Sequence, residues 1–224
     1  MTLANKAYDC IRLDIIKGVL APETALRLAD LRDRYGMGFS PLREALNRLQ
    51  SERFVDVADL KGFRVAPWSL DEMNDAISTR IEIETKALKA AIQQGDDAWE
   101  SGIVSALHGL NKQADRLSVG GDFWELEARH YQFHRALISA CGSEWKLRFF
   151  DQLYGATERY RIPALLNQTS GPNRDIKKEH SALAEAVLDR DARGACSKLQ
   201  AHYKSTADWI TRQMKDPDAQ VSLS

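Results

Sequence analysis

The sequence predicts a mainly α-helical chain in two parts: a small N-terminal module with one hairpin, and a larger all-helical remainder. Three observations carry this. Residues 55–65 hold the one convincing period-2 pattern, in which Val55, Val57, Phe63 and Val65 alternate with polar neighbours around Lys61-Gly62. Elsewhere the apolar residues recur at helical spacing. At the join, Pro67 closes the hairpin, and Ser69 with Glu72 forms a capping box that opens the long helices.

Three short helical patterns precede the hairpin. The first, over 5–18, aligns Ala7, Ile11 and Ile15; the second covers 28–35 and the third 40–52. The third has Ser40 as its N-cap, Pro41 at the first helical position and Glu44 near the first turn. Between the last two, Tyr35-Gly36-Met37-Gly38 makes a tight turn. After the join, helices are predicted at 70–93, 97–117, 121–141, 144–166, 174–189 and 191–214. Breaks fall at Gly95-Asp96, Gly120-Gly121, Cys141-Gly142-Ser143, Thr169-Ser170-Gly171-Pro172 and Asp189-Arg190-Asp191. The expected domains are 1–68 and 69–215, with a disordered tail at 216–224.

Composition bounds the function. Of 224 residues, 44% are hydrophobic and 28% charged, an ordinary globular balance that excludes disorder as the main state. No run of about eighteen apolar residues exists, so no membrane span is expected. The first residues carry an acid and an arginine inside their apolar stretch, which argues against a signal peptide. Cys10, Cys141 and Cys196 are odd in number, widely spaced and never paired as CxxC. They give no disulfide framework and point to a reducing cytoplasm. Net charge is −1, but residues 1–70 hold 11 basic against 9 acidic side chains, and residues 71–224 hold 20 against 23. The sign is that expected if the N-terminal part meets phosphate.

Three short helices and a hairpin are the layout of a winged helix-turn-helix, whose third helix lies in the major groove while the wing touches the backbone or minor groove. Leu28, Leu31, Leu42, Ala45, Leu46 and Leu49 supply one buried face. Outside it stand Arg32, Arg34, Arg43 and Arg48, with Ser40 at the helix start and Lys61 and Gly62 at the wing tip. These are the candidate DNA-binding residues, with double-stranded operator DNA as partner. Because one module reads only a half-site, a homodimer on a pseudo-palindrome is expected.

The segment SPLREALNRL followed by KGFRV resembles the GntR family of bacterial transcription regulators. Pro41, Arg43, Glu44, Ala45 and Leu46 match its usual pattern position for position. Two departures stand out. Phe39 occupies a place where the family often has an arginine, and Gly38 replaces a common Ser or Thr cap. The resemblance implies a different operator from the commonest family type.

Four of the five histidines fall in telling places. His130 and His134 stand at i and i+4 on one helix face, while His180 and His202 lie on two later helices. Imidazoles on facing helices can build a metal site, although such pairs also arise by chance, and spacing alone leaves both readings open. The second part also resembles the FCD effector domain of the FadR branch of that family, and within it the CsiR-type branch. FHRAL carries His134, EHSAL carries His180, and His202 follows. His130 occupies the family's aspartate position. The resemblance implies a divalent metal, zinc or nickel first, on His130, His134, His180 and His202. Four neutral ligands would leave the ion's full charge facing an incoming acid.

Arg80 and Glu84 match the family's Arg-x3-Glu, and Arg159 and Arg161 lie on a helix expected to flank the bundle cavity. Arginine binds carboxylate bidentately. Arg80, Arg159 and Arg161 are therefore candidate effector-binding residues for a small carboxylate, preferably a dicarboxylate of four to six carbons. For each, a structural ion pair is the bland alternative. A metalloenzyme fused to a DNA-binding module is the rival reading. It would need an open metal position with a placed base and acid. Glu127 and Glu179 are near the histidines but read as helix surface or support for the ligands, and no catalytic motif appears. The expected function is a ligand-responsive DNA-binding regulator, a repressor, and not an enzyme.

Overall fold

The computed structural model describes residues 1–58, 62–166 and 175–215. These divide into two compact units, one drawn from 1–74, 155–166 and 208–215, the other from 75–154 and 175–207.

The first unit opens with α1 (Leu3–Ile16), started by Thr2, whose Oγ accepts the Asn5 N–H at 3.2 Å. Its apolar stripe, Ala7, Ile11, Ile15 and Ile16, is buried with the stripe of α3 (Phe39–Ser51), namely Leu42, Ala45, Leu46 and Leu49. Between them α2 (Leu28–Tyr35) ends at Gly36, whose φ of 65° lets its N–H close on the Arg32 carbonyl at 2.8 Å. A side chain there would strain the turn that aims α3. The start of α3 differs from expectation. Gly38, not Ser40, is the N-cap, and it has no side chain to cap with. Pro41 is thus the third helical residue, still within the first turn, where a missing N–H costs nothing.

The wing strands are β2 (Val55–Ala58) and β3 (Gly62–Val65), antiparallel, with Val55 opposite Val65 and Val57 opposite Phe63. A third strand the sequence did not announce, β1 (Ala25–Leu26), adds to the other edge of β3, giving the order β1-β3-β2. Gly62 has φ 85° and opens the returning strand. Lys61, placed at the wing tip by the sequence reading, lies outside the described residues.

The helices that follow are α4 (Leu70–Gln94), α5 (Asp97–Leu117), α6 (Phe123–Ile138), α7 (Glu144–Leu166), α8 (Ile176–Leu188) and α9 (Ala192–Lys215). They match the six expected patterns within a few residues at each end. The expected break at 169–172 and the tail at 216–224 lie outside the described residues. Ser69 does accept the Glu72 N–H at 3.2 Å. Asp96, Asp122 and Asp175 cap α5, α6 and α8 through their carboxylates. The second unit is centred on Leu88, Ile103, Phe133, Leu137, Phe150 and Val187, all fully buried. The division between units falls inside α4, α7 and α9. No helix among the described residues is long and apolar enough to cross a membrane.

Candidate metal centre and nucleic-acid interface

The i, i+4 spacing on α6 brings the rings of His130 and His134 to 4.6 Å between centroids. α8 and α9 add His180 and His202, whose centroids are 4.8 Å apart, and His180 lies 5.1 Å from His130. One nitrogen from each of the four lies within 4.8 Å of every other. Imidazole nitrogens bind such ions at about 2.0–2.1 Å, so small ring movements would let this set hold a metal. Among the described residues the buried Nε2 atoms of His134 and His180 meet no hydrogen-bond partner, while both rings pack edge-on against Phe133. Four buried imidazoles from three helices are a donor set suited to zinc, nickel or copper, so the residues present fit the expected ion.

Three of the Nδ1 atoms are tied to oxygens. His130 Nδ1 is 2.7 Å from the Tyr154 hydroxyl, His134 Nδ1 is 3.1 Å from the Tyr203 hydroxyl, and His202 Nδ1 is 3.0 Å from Glu179. Such outer partners fix ring orientation and tautomer. Sequence reasoning placed Glu179 near the histidines but missed both tyrosines. Tyr203 adjoins His202 in the chain, whereas nothing in the sequence marked Tyr154.

Arg80 stands beside this cluster. Its Nε donates to Glu84 at 2.5 Å and its Nη2 to the Tyr203 hydroxyl at 2.9 Å. The Tyr203 hydroxyl in turn donates to Glu84 at 2.6 Å. Burial works against the Arg80 charge, but Glu84 and Tyr203 more than offset it and its pKa rises. Burial also pushes the Glu84 carboxyl up, against the pull of Arg80 and of its hydrogen bonds, and pushes the Tyr203 phenol well up. The structural ion pair weighed from the sequence is thus present.

Arg159, a candidate effector contact, belongs to the first unit, where its guanidinium donates to the backbone carbonyls of Arg53, Ala66 and Pro67. These bonds use the Nη atoms that a carboxylate would need. Arg161 is also buried, on the same stretch of α7.

On the exposed face of α3, Arg43 makes no ion pair or hydrogen bond among the described residues, and Ser40 and Asn47 flank it in the open. The other arginines are engaged on the surface. Arg48 lies 3.8 Å over the Tyr8 ring and pairs with Glu52 at 3.4 Å. Arg32 pairs with Asp33 at 2.8 Å and Arg34 with Asp14 at 3.1 Å. Two residues outside the sequence-derived set, Arg27 before α2 and Arg64 on β3, also sit on this unit.

Residues 3–65 match the model of the gntR family of bacterial regulatory proteins, and residues 75–205 match the FCD domain. The chain is 37% identical to the HTH-type transcriptional regulator BphR of Paraburkholderia xenovorans (strain LB400), over 95% of this chain and 86% of that one. It is 35% identical to the HTH-type transcriptional repressor GlaR of Escherichia coli (strain K12), over 96% and 99%. The fold is that of E. coli McbR/YncC, with a TM-score of 0.78 at 19% identity, covering 96% of this chain and 100% of that one.

Proposed function

The chain belongs to the GntR family of bacterial regulatory proteins, carries an FCD domain and is a transcriptional regulator, not an enzyme; from that premise we propose that it is a repressor that senses a small carboxylate at a metal in its helical part. The observation that carries this is the convergence of His130, His134, His180 and His202 within 4.8 Å, inside the segment that matches the FCD domain. A 35% identical relative named as a repressor supports the direction of control.

The first unit binds operator DNA, with Arg43 at the base edges and Arg32, Arg34, Arg48, Ser40, Lys61 and Gly62 along the backbone. Two copies read a pseudo-palindrome as a homodimer. In the second unit the four histidines hold the ion, zinc or nickel first, which when bound supplies positive charge and open positions for a carboxylate. The chain's own residues orient the ligands and keep the cluster dry. Arg80, two hydrogen bonds from His134 through Tyr203, is the group for a second carboxylate, which reaches it by exchange with Glu84. An acid that binds one arrangement of the protein better than the other shifts DNA affinity by that difference and no more.

The test combines elemental analysis of the purified protein with DNA binding to its own upstream region by fluorescence anisotropy. One metal per chain, and release of DNA on adding glutarate or a hydroxy acid with no product formed, are expected. A metal-free protein whose DNA affinity ignores every small acid would overturn the reading, and turnover of an acid would favour the metalloenzyme.

A further inference from the structure

We propose that the buried Arg80–Glu84 pair is a positioning device that sets the tautomer of His134, acting through the Tyr203 hydroxyl. The inference rests on the metal-site reading for its purpose, but its geometry stands in the protein alone.

A phenol has one hydrogen to donate and two lone pairs to accept with. Among the described residues the Tyr203 hydroxyl has three neighbours in reach: Glu84 at 2.6 Å, Arg80 Nη2 at 2.9 Å and His134 Nδ1 at 3.1 Å. Arg80 can only donate. Beside that cation Glu84 is a carboxylate, already accepting from Arg80 Nε, and it can only accept. The hydroxyl hydrogen therefore goes to Glu84, and both lone pairs face Arg80 and His134. His134 must then carry its hydrogen on Nδ1. Its Nε2 keeps a lone pair, the form a metal ligand needs.

Packing makes the arrangement stiff. The Arg80 guanidinium lies 4.3 Å from the centre of the Tyr203 ring and 4.8 Å from that of Tyr154, the tyrosine that meets His130. One cation thus braces the two rings whose hydroxyls hold both ligands of α6. Arg80 and Glu84 are fully buried at 4% and 1% exposure, so water does not compete for these bonds. With the pair replaced by apolar groups, the Tyr203 hydrogen is free to turn to His134 Nδ1. The ring proton then moves to Nε2, where it blocks a metal.

The test uses the full-length protein, wild type, Arg80→Met/Glu84→Leu and Tyr203→Phe. The double variant removes both charges together, since removing one would strand the other in the core. Tyr203→Phe changes a single oxygen and guards against a double variant that fails to fold. Long-range 1H–15N correlation in metal-free protein should show His134 with hydrogen on Nδ1 in wild type and on Nε2 in the double variant. Zinc affinity, measured by competition with a chelating dye, should fall about 10–100-fold in each variant. Adding the pair replacement to Tyr203→Phe should cost nothing more. Hydrogen on Nε2 of His134 in the wild type, an unchanged tautomer in the double variant, or losses that simply add would each overturn the proposal. A wild type that binds no zinc would sink the metal reading instead, and the tautomer measurement would still decide this one.

Discussion

Arg159 Nη2 lies 2.8 Å from the backbone carbonyl oxygen of Ala66, the residue that follows the last wing strand. The same guanidinium reaches the carbonyls of Pro67, at 2.9 Å, and Arg53. One side chain thus clamps both flanks of the hairpin.

Arg159→Met should destabilise the protein by about 2–4 kcal/mol, because buried carbonyls lose charged donors and gain none. Urea unfolding measures this. Effector affinity in the folded variant should be unchanged, and a variant as stable as wild type but blind to the effector would return Arg159 to the binding site.

Arg43→Ala should weaken operator binding by about 1–3 kcal/mol and relax the sequence preference, the signature of a base contact. Arg48→Ala should instead weaken binding to all sequences alike, as loss of a phosphate contact does, and lower stability slightly, since Arg48 is laid on Tyr8 and paired with Glu52. Anisotropy titrations on specific and scrambled DNA separate the two. Equal losses on both DNAs for Arg43→Ala would make it a phosphate contact.

The long helices were legible because caps and apolar spacing agree at each start, as at Asp96 and Asp122. β1 was not, because Ala25–Leu26 is too short to show alternation, and its pairing with Arg64 and Phe63 is a tertiary event. The start of α3 slipped by two residues because Ser40 and Pro41 both suit a first turn, and the backbone turns at Gly38 without side-chain help. The histidines were legible through i, i+4 spacing and resemblance. The acceptors of Arg159 were hidden because carbonyls carry no residue identity, and Tyr154 because a tyrosine on a helix is usually core.

Burial, with the Glu72 carboxylate beyond it, pushes the Tyr160 phenol up from 10.0 to about 12. The folded value lies above the unfolded one. Its stabilising contribution is therefore complete below pH 10 and is lost as pH rises from about 10 to about 12. Tyr160→Phe cannot ionise there. Between about pH 9 and 11.5 the urea midpoint of wild type should fall further than that of the variant, the remaining tyrosines being common to both. Parallel curves would mean that Tyr160 titrates normally.

Chelation should lower the melting temperature by about 5–10 °C if the ion is present at about a hundred times its Kd, since binding then adds about 2.7 kcal/mol. Zinc should restore it. His130→Ala/His134→Ala should contain no metal and melt at the same temperature with or without chelator. Elemental analysis that finds full metal in this variant would remove both residues from the ligand set.

A diacid must compete for Arg80, which already has a carboxylate partner in Glu84, 2.5 Å away. A second carboxylate must displace it. Glu84→Gln keeps the shape but removes the competing charge, so glutarate should bind about tenfold more tightly to the variant, close to 1.4 kcal/mol. Butyrate, which needs only the metal, should gain nothing from the change, so the glutarate-to-butyrate affinity ratio should rise. Arg80→Lys retains the charge but loses the planar fork, and should lower the glutarate-to-butyrate affinity ratio. The ratio is the right readout, because any disturbance of His134 weakens both acids equally and cancels. Calorimetry on the metal-loaded proteins decides. A wild type without diacid preference, or a ratio unmoved by Arg80→Lys, would leave the metal as the whole of the effector site.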